Sequence, residues 1–297
     1  MAKINEITPH VLSFDALIKE TIKQSIKLME YFRLHLIYYQ LISGKGLEFE
    51  KIVDYTPGSD LRRIDWKKYA KTGKLAIRAF KEERKFDIVF VLDVSDSMLL
   101  GSTEYTKNQF AAIIAGALGF AANDAGDNIA ITMISDKVEI STEPSGDYYS
   151  ILNMISNSHY YGGNKQWSKL LQILPQNYDS DSIIFVISDF IDTEPKTFIP
   201  ELAANFSKVY GIMIRDPLDN TLPKGVGKIY LTDKNGSKYL ADFDKAKKDY
   251  ELLNKKIIKH VRNVFEENGQ LFLEMSTDMD FGEAFMEALG KTEVIIS

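Results

Sequence analysis

Phe90-Val-Leu-Asp-Val-Ser-Asp-Ser-Met98 is an apolar run that closes on Asp93-x-Ser95-x-Ser97. It reads as a buried strand whose C-terminal tip presents one carboxylate and two hydroxyls, and the tips of parallel strands are where open α/β sheets build their sites. A second stretch, Ile183-Ile-Phe-Val-Ile-Ser188-Asp189, repeats the logic. If the two strands are neighbours, Asp93, Ser95, Ser97 and Asp189 face one crevice. Hard oxygen donors of this kind suit Mg²⁺ or Mn²⁺. Between the two runs lies Tyr161-Gly-Gly-Asn-Lys-Gln-Trp-Ser168, whose paired glycines permit a tight backbone approach ahead of a helix.

Outward from these runs, strand and helix patterns alternate. Strands are expected near 87–93, 128–134, 182–188, 208–214 and 270–275, with helices near 104–123, 148–156, 166–174, 196–206, 243–267 and 280–289. Such alternation predicts an α/β fold, a doubly wound and mostly parallel sheet with crossover helices. Lys234-Asn-Gly236 between Lys228–Thr232 and Lys238–Asp242 is a hairpin signal inserted in that scheme. Upstream, Ile18, Ile22, Ile26, Met29, Phe32, Leu36 and Tyr39 recur at helical spacing, so residues 14–42 predict one long amphipathic helix. Residues 47–85 are irregular and basic, with a strand expected at 75–80. Two units follow: residues 1–85, a helix plus a basic segment, and residues 86–297, the α/β domain.

Composition narrows the chemistry. The 297 residues contain no cysteine, which excludes disulfides, zinc thiolates and cysteine nucleophiles and fits a reducing compartment. The charge of −6 disfavours a nucleic-acid protein. It is unevenly spread: residues 60–85 hold ten Lys/Arg against four acids, a local surplus of six positive charges that leaves the remainder at −12. The N-terminus has no secretory pattern, since Glu6, His10 and Asp15 interrupt any apolar core. The uncharged span from Asn108 to Asn123 is 16 residues, short of the roughly 18–20 that cross a bilayer. The expected location is the cytoplasm.

Two stretches resemble known families. Asp93-x-Ser95-x-Ser97, the Gly-Gly loop and the later Asp189 resemble the metal-ion-dependent adhesion site of von Willebrand factor A-type domains. More specific is Pro57-Gly-Ser-Asp60-Leu-Arg62-Arg63-Ile-Asp65-Trp66, followed by Thr72-Gly-Lys-Leu75 and Phe80-Lys-Glu-Glu-Arg84. This string resembles the signature of the domain-of-unknown-function 58 family, whose members have a von Willebrand A-like core and are often paired with MoxR-type AAA+ ATPases. The resemblance covers about residues 40–290 and implies a binding module, not an enzyme, that works as an adaptor in assembling or maturing a protein complex. It further implies a divalent ion held by Asp93, Ser95, Ser97 and Asp189, with a partner's carboxylate in an open position. The second loop departs from the pattern: Asn164 falls where threonine is expected, with Lys165 beside it. That position offers either an amide oxygen for an ion or an ammonium in the ion's place. Asp60, Arg62, Arg63, Asp65 and Trp66 read as an internal clamp for the N-terminal segment, or as a partner surface.

Other readings explain less. A stand-alone scaffold for an acidic ligand would use the same site without an ATPase. A haloacid-dehalogenase-type phosphatase also starts from a strand ending in Asp, but it needs a second carboxylate two residues on, where this chain has Ser95. No G-x-S-x-G elbow is present, Ser43-Gly-Lys-Gly46 is too short for a phosphate loop, and His10, His35, His159 and His260 show no metal spacing. Taken singly, the strand-end serines and aspartates also suit capping and local backbone bonding.

Overall fold

Strands that are apolar at every position need cover on both faces, and this chain supplies it with helices between the strands. The computed structural model describes residues 11–29, 49–54, 68–69, 72, 74, 76–80, 85–124, 126–136, 139–191, 194–232 and 237–280. An N-terminal helix α1 (Phe14–Met29) precedes an antiparallel pair, β1 (Phe49–Asp54) and β2 (Ala76–Phe80). Then come β3 (Asp87–Asp93), α2 (Lys107–Asp124), β4 (Asn128–Ile134), β5 (Glu139–Ser141), α3 (Tyr148–Ile155) and α4 (Trp167–Asn177). The rest is β6 (Ile183–Ser188), α5 (Pro195–Asn205), β7 (Lys208–Arg215), α6 (Pro217–Asn220), β8 (Lys228–Thr232), β9 (Lys238–Asp242), α7 (Phe243–Glu267) and β10 (Leu271–Ser276).

Six strands form one sheet in the order β10-β7-β6-β3-β4-β5, parallel except for the β4–β5 pair. This is the doubly wound, mostly parallel α/β architecture expected from the sequence. In the central strand, Ile88, Phe90 and Leu92 join the buried residues of α1, α2 and α3, whereas Val89 and Val91 join those of α4, α5 and α7. Phe90, Phe185 and Tyr210 stack across β3, β6 and β7 at centroid separations of 5.6 and 4.8 Å.

Helix α2 begins at Lys107, not at 104, because Gln109 accepts from the Thr106 N–H at 3.0 Å, half of a capping box. Its small residues admit close neighbours. Gly116 lies against Thr21 of α1, where a Cβ would come within 2.6 Å of the Thr21 hydroxyl, and Leu17 and Thr21 are fully buried there. A Cβ on Gly211 of β7 would run into the Phe265 ring of α7.

Three differences from the sequence reading have physical causes. Strand β5 was not expected: it is three residues long and leads with Glu139, too short to show a period. Strand β1 lies in the stretch read as irregular, and its alternation is broken by Glu50 and Lys51. The hairpin has the expected strands, with Tyr230 opposite Leu240. Helix α1 is described as far as Met29, and the expected continuation to 42, the 234–236 turn, the 280–289 helix beyond Asp280, and Asp60, Arg62, Arg63, Asp65 and Trp66 lie outside the described residues. Among the described residues no helix is long and apolar enough to cross a membrane.

Candidate functional site

The chain leaves β3 toward β4 and β5 on one side, then returns to β6 on the other, so the strand order reverses between β3 and β6. In open α/β sheets the crevice at the carboxyl ends of such a pair is where ligands bind. Here Asp93 ends β3, and Ser188 ends β6 with Asp189 next in the chain.

Both carboxylates are buried and both are engaged. Asp93 accepts from the Ser95 N–H at 3.0 Å through Oδ1 and from the Ser188 hydroxyl at 2.6 Å through Oδ2. Asp189, 0% exposed, is flanked by two ammonium groups: Lys165 Nζ lies 2.5 Å from Oδ1 and Lys107 Nζ 2.8 Å from Oδ2. Lys165 also donates to Ser97 Oγ at 2.7 Å and pairs with Asp93 Oδ2 at 3.4 Å. Lys107 pairs onward with Asp219 Oδ2 at 3.1 Å. The result is a chain of alternating charge, Asp93–Lys165–Asp189–Lys107–Asp219. Burial alone would raise the Asp189 pKa, but the two lysines outweigh it and hold the carboxyl well below its usual range. Burial likewise opposes the Lys165 charge, and Asp93 and Asp189 more than offset it, so its pKa is raised. Both groups are ionised at neutral pH.

Local backbone conformation aims these groups. Phe190 has φ = 50°, a left-handed value rare for an aromatic residue. The twist lets the Phe190 ring drop beside Trp167 and Phe265 while Asp189 turns into the crevice, where Oδ1 also accepts from the Ile191 N–H at 3.1 Å. Strain of this kind costs about 1–3 kcal/mol and persists where packing over-determines it. The second loop is pinned by its glycines: Gly162 and Gly163 have φ of 112° and 90°. That backbone lets the Gly162 N–H reach Val94 O at 2.7 Å and Gly163 O accept from the Asp96 N–H at 2.8 Å. The Asp96 carboxylate accepts from the Gly163 N–H at 2.8 Å in return.

Of the residues expected to hold a metal, the fold brings Asp93, Ser97 and Asp189 onto one point and sets Ser95 Oγ 3.3 Å from Ser97 Oγ. Asn164 is turned away: its backbone N–H and side-chain amide donate to Asp136 at 2.7 and 2.8 Å, tying this loop to the end of β4. The point where the oxygens converge is taken by the Lys165 ammonium. As arranged, the donor set does not fit a divalent ion. Lys107, Ser188 and Asp219 were not singled out from the sequence. Lys107 left a readable signal, as the one charge opening the apolar run to Asn123.

The arrangement defines a class: a doubly wound α/β protein with an ion-paired crevice at its topological switch point. The family model described as "Protein of unknown function DUF58" matches residues 51–258, and the chain belongs to that family. Uncharacterized proteins of Mycobacterium bovis and Mycobacterium tuberculosis are each 27% identical over 208 residues, 67% of this chain and 64% of theirs. The chain thus aligns with a little under two thirds of those relatives' length. Among solved structures, BatB from Bacteroides thetaiotaomicron is similar at 14% identity, a TM-score of 0.47 and coverage of 69% of this chain and 98% of that one. An aerotolerance-related membrane protein from Bacteroides fragilis gives 12%, 0.45, 69% and 99%.

Proposed function

We propose that this chain is a non-enzymatic, cytoplasmic protein-binding adaptor that works with a MoxR-type AAA+ ATPase in the assembly or maturation of another protein complex. The observation that carries the reading is the commitment of the crevice. Asp93 and Asp189 are each engaged by lysine, serine or backbone donors, which supports a structural role for both over a catalytic one. Phosphatase chemistry from Asp93 also lacks its second acid, Ser95 being the residue in that place.

Above the crevice, the 94–102 and 162–168 loops are joined through Val94, Asp96, Gly162 and Gly163. A surface fixed in advance binds without the entropy cost of ordering it. Leu100, 65% exposed at this rim, is the apolar side chain on which we place the ATPase contact. The hairpin, with Tyr230, Leu231, Tyr239 and Leu240 exposed, is a second surface of the type that partners cover.

The test is a titration of a purified MoxR-type ATPase from the same organism against wild type, Leu100→Asp and Tyr230→Ser. Saturable binding to wild type, weakened about tenfold or more by Leu100→Asp, supports docking at the rim. Loss confined to Tyr230→Ser moves the contact to the hairpin. No binding by wild type overturns the ATPase partnership, and release of phosphate by the chain alone from phosphate esters overturns the non-enzymatic reading.

A further inference from the structure

We infer that Lys165 and Lys107 together form a built-in dication that stands in the crevice in place of a divalent metal, and that the Asp93/Ser97/Asp189 seat opens to Mg²⁺ or Mn²⁺ only when the Lys165 ammonium is taken away. The inference concerns how the crevice is charged and does not depend on the partner proposed above.

Four observations carry it. First, the ammonium has three N–H donors, and three oxygens surround it: Asp189 Oδ1 at 2.5 Å, Ser97 Oγ at 2.7 Å and Asp93 Oδ2 at 3.4 Å. An ion ligated by those oxygens would lie where Nζ lies, so the two are mutually exclusive. Second, both oxygens of Asp189 are already met by ammonium groups, one on each, without a metal. The second cation, Lys107, also touches Asp219 and is 1% exposed, so it does not leave the site easily. A divalent ion added beside it would meet repulsion in a weakly screened interior.

Third, Lys165 is not a solvated surface lysine laid across the site. Its side chain is 9% exposed, and the three residues before it are pinned, Gly162 and Gly163 to the loop that follows β3 and Asn164 to Asp136. Fourth, the residue that precedes it turns its amide out of the crevice, so the loop contributes one group to the seat and that group is a cation. A tethered ammonium supplies charge without requiring open coordination positions. The crevice is therefore closed to a partner's carboxylate as a metal-bridged ligand, and any partner meets the rim and not the seat.

Manganese alone is the probe, because its paramagnetism counts bound ions by electron spin resonance. Wild type, Lys165→Ala, Lys165→Met and Lys165→Ala/Asp93→Ala are titrated with Mn²⁺ and their melting curves followed in parallel. The expected result is no saturable binding by wild type in the millimolar range and one Mn²⁺ per chain for Lys165→Ala. Affinity should rise by on the order of a thousandfold, the scale of removing one adjacent positive charge at partly buried range. Adding Asp93→Ala should abolish that binding. Lys165→Met retains the apolar stem and reports the same vacancy if the alanine variant folds poorly. A variant that folds only with Mn²⁺ present also supports the inference. One Asp93-dependent Mn²⁺ on the wild-type chain overturns it, as does a folded Lys165→Ala that binds none. If neither variant folds under any condition, the wild-type titration, with Asp93→Ala as its control, decides.

Discussion

Replacing Asp189 by asparagine tests the electrostatic frame of the crevice at its centre. The carboxylate is fully buried and its two oxygens face different lysines, at 2.5 and 2.8 Å. Asparagine keeps the shape and one acceptor oxygen but turns an amide NH₂ toward one of the two ammonium groups. The lysines are not wholly orphaned, because Lys165 keeps Ser97 and Asp93 while Lys107 keeps Asp219. Removing one partner from a buried ion pair costs about 3–5 kcal/mol, mostly the penalty of the charge left behind. Against a total stability of about 5–15 kcal/mol, that is about a fifth or more, and a melting temperature lower by roughly 10 °C. Lys107→Met should cost less, since each carboxylate it leaves has another partner and the methionine stem still packs. Urea unfolding of wild type, both single variants and the double variant gives the coupling directly. A loss under about 1 kcal/mol for Asp189→Asn, or additivity of the two changes, would refute the chain of buried pairs.

The remaining expectations use other parts of the molecule. Because the folded-state pKa of Asp189 is lowered, the unfolded chain binds the extra proton. This share of stability is present above about pH 4 and is lost as pH falls toward the lowered value, and Asp189→Asn should flatten that acid limb. Lys165 has the opposite sign: its pKa is raised, so its share is complete below about pH 10 and is lost at higher pH. Burial also raises Tyr148, Tyr161 and Tyr210, so the lysine's share is read as the difference between wild-type and Lys165→Met alkaline melts. Gly116→Val should push α1 off α2 at Thr21, costing about 1–3 kcal/mol and exposing α1 to protease before the sheet; an unchanged digestion pattern contradicts that packing. Gly211→Ala should displace the Phe265 ring and lower stability by a similar amount, seen as lost protection of β7 and β10 amides in hydrogen exchange.

Much of this architecture was legible because its cause is local. Phe90–Asp93 and Ile183–Asp189 are apolar to the last residue before a polar tip, which only a sheet covered on both faces demands, and that pattern also placed both carboxylates at one end. What could not be read was the choice between Asn164 and Lys165 as the side chain that enters the crevice. That choice is made by Asp136, 28 residues away, which captures the Asn164 amide. Lys107 and Asp219 were missed for the same reason. Each looks like an ordinary helix-terminal charge, and only the fold sets Asp189 between β6 and α5 within reach of a lysine 82 residues earlier. The left-handed Phe190 carries no sequence signal, since aromatic residues rarely adopt that conformation.

The most direct measurement is an anomalous difference map from crystals of the full chain grown and soaked in millimolar MnCl₂. The account predicts no manganese peak between Asp93, Ser97 and Asp189, and Lys165 Nζ in hydrogen-bond contact with Ser97 and Asp189. A manganese peak ligated by Asp93 and the Ser95 and Ser97 hydroxyls, with Lys165 swung out of the crevice, would contradict it.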